Sequence, residues 1–518
     1  MWMRALLFAA ALATGLGACA EPAATAQPKL DAVGSNADAL NAVDAASIGD
    51  VTPSDSVDGA VEADVTPQDS GDDDLAAVDT ANDTTDPGGW RQRTWGGQYN
   101  DEAKSVAVAT SGGGLWLAGY TESAGAGDWD GLILRTSDCG AVTWARTYGA
   151  AKKDELHGIV ATTGGGAAAV GVSYSFKGFV EAWVVRVDDG GALVWTASYG
   201  GDGFDQASAL TETTDADLVV LGETYNFGPG TPLSHNMMLL RVGGKDGKLI
   251  WEQTLGGGLD GDAGFALLRT DGPAGNLLVA GATESYGQGR DDIWITKLTP
   301  GGKLLWSRAI GGQEDDESRS IAPDGQGGFL LSGFSRTYTT GKSDIFLLRV
   351  DAMGTPTWMR HYGNSEKERA YGVVASNGGL LLAGRTLSYG DGDSDAWIMR
   401  VKADGAFDWM RLLRGKGDDE IVATAVGPDG GLVFAGRTDS FGAGQRDVWY
   451  GRVRADGQAG CNQHTLSAGK VHHGAATPTT LAIQPTIAHG AVRRDVSVSV
   501  SVVTTLTSGA TCAPTDCK

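Results

Sequence analysis

The chain has 518 residues, 79 of them glycine, and its 64 acidic and 40 basic residues give a formal charge of −24. That balance argues against a nucleic-acid partner, because phosphate contacts are made by lysine and arginine. Aromatic residues gather in the middle of the chain: of 15 tryptophans, all but Trp2 lie between Trp90 and Trp449.

Residues 1–19 read as an export signal, with Arg4 as the positive start and Ala5 to Leu16 as the apolar run. The run is too short to span a bilayer, and nothing later reaches about eighteen consecutive apolar residues. Leu16-Gly17-Ala18-Cys19 resembles the lipobox of bacterial lipoproteins. The resemblance implies cleavage before Cys19, lipidation of its thiol and amine, and, with Ala20 next, sorting to the outer membrane. Residues 20–88 contain sixteen acids, one base (Lys29) and no aromatic residue. So much like charge with so little apolar surface cannot offset the entropy of ordering, so a disordered tether is expected. As a coil it would reach on the order of 45 Å.

From residue 89 to 460 the chain repeats itself. The anchors Trp90, Trp144, Trp195, Trp251, Trp306, Trp358 and Trp409 stand 51 to 56 residues apart, a period that marks propellers and solenoids. An acid follows each anchor by ten or eleven residues: Asp101, Asp154, Asp205, Asp262, Asp316, Glu368 and Asp419. A Gly-x-Thr/Ser comes next, from Gly119 to Gly436. A strand then opens on Asp130, Glu181, Asn236, Asp292, Asp344, Asp395 or Asp447 and carries a base five residues on. In the sixth copy, Arg369 to Ala375, Leu380 to Thr386, Asp395 to Val401 and Ala406 to Leu412 read as four short strands joined by turns. The expected fold is therefore all-β, a seven-bladed β-propeller of four-stranded antiparallel blades behind a disordered tether. The seventh copy stops after three strands and the first has one to spare, so Trp90 to Gly96 should complete the last blade. Cys461 stands where an eighth tryptophan would fall, which leaves 458–466 as the other source of that strand.

The series W-x-x-x-[YLI]-G-G, D-E, G-x-T-x-S and D-x-W resembles the bacterial secreted β-propeller repeats called SBBP-type, over about residues 90 to 460. The resemblance speaks to the repeat and names no activity.

Residues 461–518 leave the pattern. Once Cys19 is lipidated, Cys139, Cys461, Cys512 and Cys517 remain, an even number in an exported chain, and disulfides among them are expected. Cys139 and Cys461 belong to neighbouring blades of a closed ring, so the tail is expected to fold back over that seam.

Features present in every blade are expected to hold blades together: Trp144, Trp195, Trp251, Trp306, Trp358 and Trp409 as interblade core, and the acids and bases as ion pairs between strands. No catalytic residue is nominated. Asp391, Asp393 and Asp395 on a Gly-rich loop are the nearest approach to a calcium site; no other cofactor is expected. Departures from the repeat are the better functional candidates, notably the insertion 228–236 with His235 and the insertion at 258–262. The expected role is a monomeric, membrane-tethered envelope lipoprotein whose ring binds or scaffolds a protein or glycan. The alternative is a hydrolase or lyase acting on an extracellular glycan. A central cluster of non-recurring acids, bases and aromatics would favour the enzyme.

Overall fold

The computed structural model describes residues 92–502 except 177–179, 226, 230–233, 259–260, 271, 273–274, 391–393, 414, 458–462, 467–469, 483, 485, 489–491 and 496–498. The signal, Cys19, the acidic segment, Trp90, Cys461, Cys512 and Cys517 lie outside them. Seven antiparallel sheets follow one another along the chain. Blade one comprises Asp101–Val108, Leu115–Thr121, Asp130–Thr136 and Val142–Gly149, and blade six Glu368–Ser376, Gly379–Thr386, Asp395–Lys402 and Phe407–Leu413. The first strands of successive blades touch in a cycle that returns from blade seven to blade one. They are therefore innermost, and the ring is closed. Blade seven, Asp419–Val426, Leu432–Thr438 and Asp447–Val453, receives its fourth strand from the other end of the chain: Arg93–Trp95 pairs with it, Thr94 opposite Trp449. The closing strand expected near Trp90 to Gly96 is thus present.

Local chemistry explains the repeat. Every first strand carries a β-bulge three residues after the recurring acid, so the register slips there in all seven blades. The bulge presses a backbone carbonyl onto the second strand, where only glycine fits. A Cβ on Gly222 would lie 1.9 Å from the Gln206 carbonyl oxygen, and Gly119, Gly171, Gly281, Gly333, Gly384 and Gly436 are equally confined. Gly222→Ala should therefore destabilise the ring by about 1–3 kcal/mol through overpacking. Gly164→Ala, which meets nothing within 4 Å, should leave it unchanged. Denaturant midpoints of the two variants check this, and equal midpoints would refute the steric account.

The Thr or Ser two residues after that glycine turns its hydroxyl to the recurring acid. Thr121 donates to Asp101, Ser173 to Asp154, Thr283 to Asp262 (2.5 Å), Thr386 to Glu368 (3.0 Å) and Thr438 to Asp419 (2.5 Å). The acid's second oxygen takes a further serine, as Ser123 (2.8 Å) and Ser440 (2.8 Å) show, and the loop amides of Gly97 (2.7 Å) and Gly415 (2.8 Å). Its own N–H reaches back to the preceding blade: Asp101 to the Arg446 carbonyl, Asp154 to Trp129, Asp419 to Ser394. The acids thus clasp loops at the blade seams instead of pairing with bases. The recurring bases sit at the far end of the third strand, where Arg241 meets Asp217 (2.7 Å), Arg349 meets Asp324 (2.6 Å) and Arg452 meets Asp429 (2.7 Å). The expected acid–base pairing of the two recurring sets is corrected on this point, because the length of a strand separates them.

The anchor tryptophans do join blades, but at the rim. Trp306 is buried and Trp144, Trp195, Trp251, Trp358 and Trp409 are half-buried. Each indole covers a hairpin turn of the following blade. Trp144 donates to the Asp189 carbonyl (3.1 Å), Trp195 to Gly244 (2.9 Å) and Trp251 to Pro300 (3.2 Å). Trp306, Trp358 and Trp409 lie against Gly354, Gly405 and Gly457. The deep interblade core is instead built by the third strands, with Trp183, Trp294, Trp397 and Trp449 fully buried.

The C-terminal tail follows a course the sequence did not suggest. It runs around the perimeter in reverse order, adding a fifth strand to six blades. Gln463–Leu466 pairs with blade six, His472–Ala476 with five, Thr479–Ala482 with four, Thr486–Ala488 with three, Val492–Asp495 with two and Ser499–Val502 with one. Residues 463–466 therefore do not close blade seven, and the tail does not stop at one seam. The reason is that six outer strands offer unpaired backbone edges, and a short extended segment satisfies each. Cys139 lies in the turn before the fourth strand of blade one, and the other cysteines of the expected disulfides lie outside the described residues.

Candidate functional site

Against this uniform frame, three positions per blade vary. They are the residue after the recurring acid, the bulge residue two further on, and the cross-strand partner of the first. The bulge places Lys104, His157, Ser208, Phe265, Arg319, Tyr371 and Val422 around the lumen, all half-buried. Bulges re-aim a side chain out of the sheet's alternation, and here they aim seven different ones inward. The position beside the acid holds Glu102, Glu155, Gln206, Ala263, Glu317, Arg369 and Glu420. Their direct cross-strand partners are Tyr120, Val172, Glu223, Ala282, Phe334, Arg385 and Arg437.

These side chains form a charge network that runs most of the way round the lumen. Lys104 contacts Glu102 (2.9 Å), whose other oxygen accepts from Tyr120 (3.3 Å). His157 lies 3.4 Å from Glu155 and 3.1 Å from the Ala207 carbonyl. His235, from the insertion flagged in the sequence, stacks on Tyr225 (4.9 Å between centroids) and lies 3.9 Å from Glu223. Arg319 pairs with Glu317 and lies over the Phe265 ring at 3.8 Å. Glu420 bridges Arg385 (2.5 Å) and Arg437 (3.1 Å), and Arg437 reaches Glu102 of blade one (3.9 Å). In every pair the base is the more exposed partner: Lys104 at 17% against 1% for Glu102, Arg385 at 16% against 2% for Glu420. The carboxylates form the wall and the cations face the lumen.

The acids divide by environment. Burial raises Glu420, but Arg437 and Arg385 outweigh it and hold the carboxyl at about 2. Burial likewise opposes, and the neighbouring bases overcome, ionisation costs at Glu155 and Glu317, which lie below the usual range. Glu223 goes the other way, raised by burial beyond what His235 and Gln206 return. At the blade seams, burial pushes Asp316 up to about 6, with the charge of Asp292 adding to it. Asp447 also stands at about 6, from burial and then the charge of Asp101.

A pH dependence follows from these shifts. Asp316 and Asp447 are raised above their unfolded value of 3.8, so the native state binds protons first and stability rises as pH falls from about 6 toward 4. Glu420 is depressed below 4.5, so its contribution is complete above that value and is lost as pH falls toward about 2. Maximal stability is expected in the mildly acidic window between, read as the denaturant midpoint against pH. A midpoint that falls steadily from pH 7 to 4 would contradict the assignment.

The remaining expected sites are placed as follows. Asp395 opens the third strand of blade six, and Gly390, at φ 116°, lies so close to it that an added Cβ would meet the Asp395 carboxylate. Asp391 and Asp393 lie outside the described residues. Among the described residues no group of three or more His, Cys, Asp or Glu side chains is arranged to hold a metal ion. What sequence reasoning missed are the slots one and three residues after the recurring acid. Their signal is variation at a fixed offset from a constant residue.

The chain is thus a closed seven-bladed β-propeller with a recurring carboxylate clasp and a non-recurring charged lumen. No family model matches it. A stretch of 127 residues is 28% identical to the regulatory protein FlaEY of Caulobacter vibrioides, covering 21% of this chain and 13% of that protein's length. Among solved structures, it is similar to a quinohemoprotein alcohol dehydrogenase from Pseudomonas putida HK5 (10% identity, 71% of this chain and 76% of that one, TM-score 0.39). It is also similar to a protein of unknown function from Dyadobacter fermentans (11%, 70% and 98%, 0.36) and to Sqt1 from Chaetomium thermophilum (12%, 68% and 96%, 0.35). At these values the likenesses carry no argument about activity.

Proposed function

We propose that the protein is an envelope lipoprotein, anchored through Cys19 in the outer membrane and acting as a monomer, whose ring is a binding module with its site in the lumen. The observation that carries this reading is the contrast between constant clasps and variable lumen slots. A scaffold with no ligand has no need of seven different side chains at seven equivalent bulges. The mixed cluster of acids, bases and aromatics was the feature expected to mark an enzyme, but its protonation states favour recognition. Glu317 and Glu420 are held ionised by the arginines they pair with, whereas a general acid needs a carboxyl kept protonated near neutral pH. The partner is a protein or glycan of the cell envelope, presented to a ring that the acidic segment 20–88 holds off the membrane.

The test is a glycan-array and turnover screen of the purified chain, repeated with Lys104→Ala and His157→Ala. Saturable binding without product, weakened by both substitutions, is the expected result. Binding indifferent to them would move the site out of the lumen. One observation favours the hydrolase reading instead: Glu223 is buried, raised and next to His235. If product is released and Glu223→Gln abolishes release, that reading replaces ours.

A further inference from the structure

The tail runs round the ring in one direction and on a regular step. Its strands start at Gln463, His472, Thr479, Thr486, Val492 and Ser499, six to nine residues apart, on blades six, five, four, three, two and one in turn. Because the ring is closed, the next blade in that direction is blade seven, and among the described residues it alone has four strands. On blades one to five each tail strand starts opposite the glycine that ends the fourth strand: Gly149, Gly200, Gly256, Gly311 or Gly363. Blade seven has the equivalent glycine, since Arg93–Trp95 leads into Gly96. A Cβ added to Gly96 would meet the carboxylates of Asp447 and Asp101, as one on Gly149 would meet those of Asp130 and Asp154. Beyond Val502 the sequence continues Val-Thr-Thr-Leu-Thr-Ser, rich in the β-branched residues that suit a strand, before Gly509. The seam between blades seven and one also carries a cysteine. The Arg93 guanidinium donates to the Cys139 carbonyl (3.3 Å), and Tyr450 of blade seven donates to that of Gly140 (2.8 Å). Cys139 therefore stands beside the outer strand of blade seven, at the end away from the clasps.

We propose that residues 505–509 pair with Arg93–Trp95 as the fifth strand of blade seven, so that the tail encircles the whole ring, and that Cys512 then bonds to Cys139. Steps of six or seven residues, which separate the last four tail strands, start the next one at Thr505 or Leu506. Starting opposite Gly96 and running away from the clasps, the segment passes Arg93 with Ser508 or Gly509. Cys512 follows after about 10–13 Å of extended chain, toward the end where Cys139 lies. A segment of the same chain outcompetes a separate partner for this edge, because attachment at Val502 holds it at high effective concentration. In forming the bond the two thiols give up two protons and two electrons, which reduce a protein disulfide of the envelope to its dithiol by exchange. The bond rests on the export proposed above; the strand does not. Residues 20–88 lead into Arg93–Trp95, so the strand that closes the ring, and takes any pull on the tether, is held along both edges.

The test is hydrogen exchange in the full chain, in a chain ended after Val502 and in full-length Leu506→Pro, whose proline cannot donate to a strand pair. The peptide bearing Arg93–Trp95 should exchange about tenfold or more faster in both variants, the change expected when an edge loses its cover. Gln463–Leu466, at the other end of the tail, should exchange as before. Leu506→Pro reports even if the shortened chain unfolds, which thermal melting checks. Equal exchange at Arg93–Trp95 in the full chain and in Leu506→Pro overturns the strand. So does protection in the full chain that is lost on dilution, because a second copy would then be the occupant. A peptide map made without reduction should show Cys139 joined to Cys512. Cys139 joined to Cys461 or Cys517, or left as a thiol, overturns the bond and leaves the strand to the exchange result.

Discussion

Glu420→Ala is expected to destabilise the protein by about 3–5 kcal/mol, the cost of stripping a buried ion pair of one partner. Glu420 touches Arg385 and accepts from Ser394 (3.3 Å) in blade six, while meeting Arg437 of its own blade. Removing it leaves two guanidiniums in a wall with no carboxylate between them, and like charges then repel in a region of low dielectric. Arg437 would retain only the longer contact to Glu102. The damage falls next to the seam where the chain ends meet, so ring opening should follow at lower denaturant. The double variant Glu420→Ala/Arg385→Leu should recover part of the loss, because it removes one of the stranded charges. Equilibrium denaturation reads both. A single variant within about 1 kcal/mol of the parent, the scale of an exposed pair, would mean that the lumen is wetter than its exposures indicate.

A chain ended after Gly457 is expected to keep its ring but to self-associate. The deletion strips the fifth strand from six blades at once and bares the terminal halves of their outer strands, such as Ala197–Gly200, Thr254–Gly256 and Arg308–Gly311. Unpaired outer edges are templates for strand addition between molecules. The other half of these strands already presents apolar side chains to solvent, with Val194, Ile250 and Leu305 about half exposed. Edge and apolar row together make a sticky perimeter. Light scattering after size exclusion checks this: a concentration-dependent rise in mass is expected while far-ultraviolet circular dichroism keeps its β signature. A monodisperse truncated ring would show that the tail serves something other than edge cover. Loss of β signal would show instead that the belt is needed to fold the blades.

The limits of sequence reading lie at particular residues. The strand boundaries of blade six were legible within a residue or two because each strand is bracketed by glycine or acidic turn residues. The closing strand was legible because one copy lacked a strand and another had one to spare. The clasp was legible only as coincidence. Asp419 and Thr438 recur in step, but that one donates a hydrogen bond to the other is a fact of the second strand folding onto the first. His235 was flagged because an insertion carries it, whereas Arg319 and Glu420 were passed over because they sit inside a regular strand and look like ordinary variation.

By itself the sequence determined the number of blades and their four-strand pattern, since both depend on period, turn chemistry and count along the chain, and it left residues 90–96 and 458–466 as two sources of the closing strand, between which the structure chose the first. The tertiary structure alone decided three things: that recurring acids bind hydroxyls and amides instead of bases, that the tail girdles six blades, and that the varying residues converge. All three depend on which atoms meet across blades. Tail segments pair with strands tens to hundreds of residues away, and the lumen gathers one bulge from each of seven repeats. No local pattern encodes such distances; closure of the ring does.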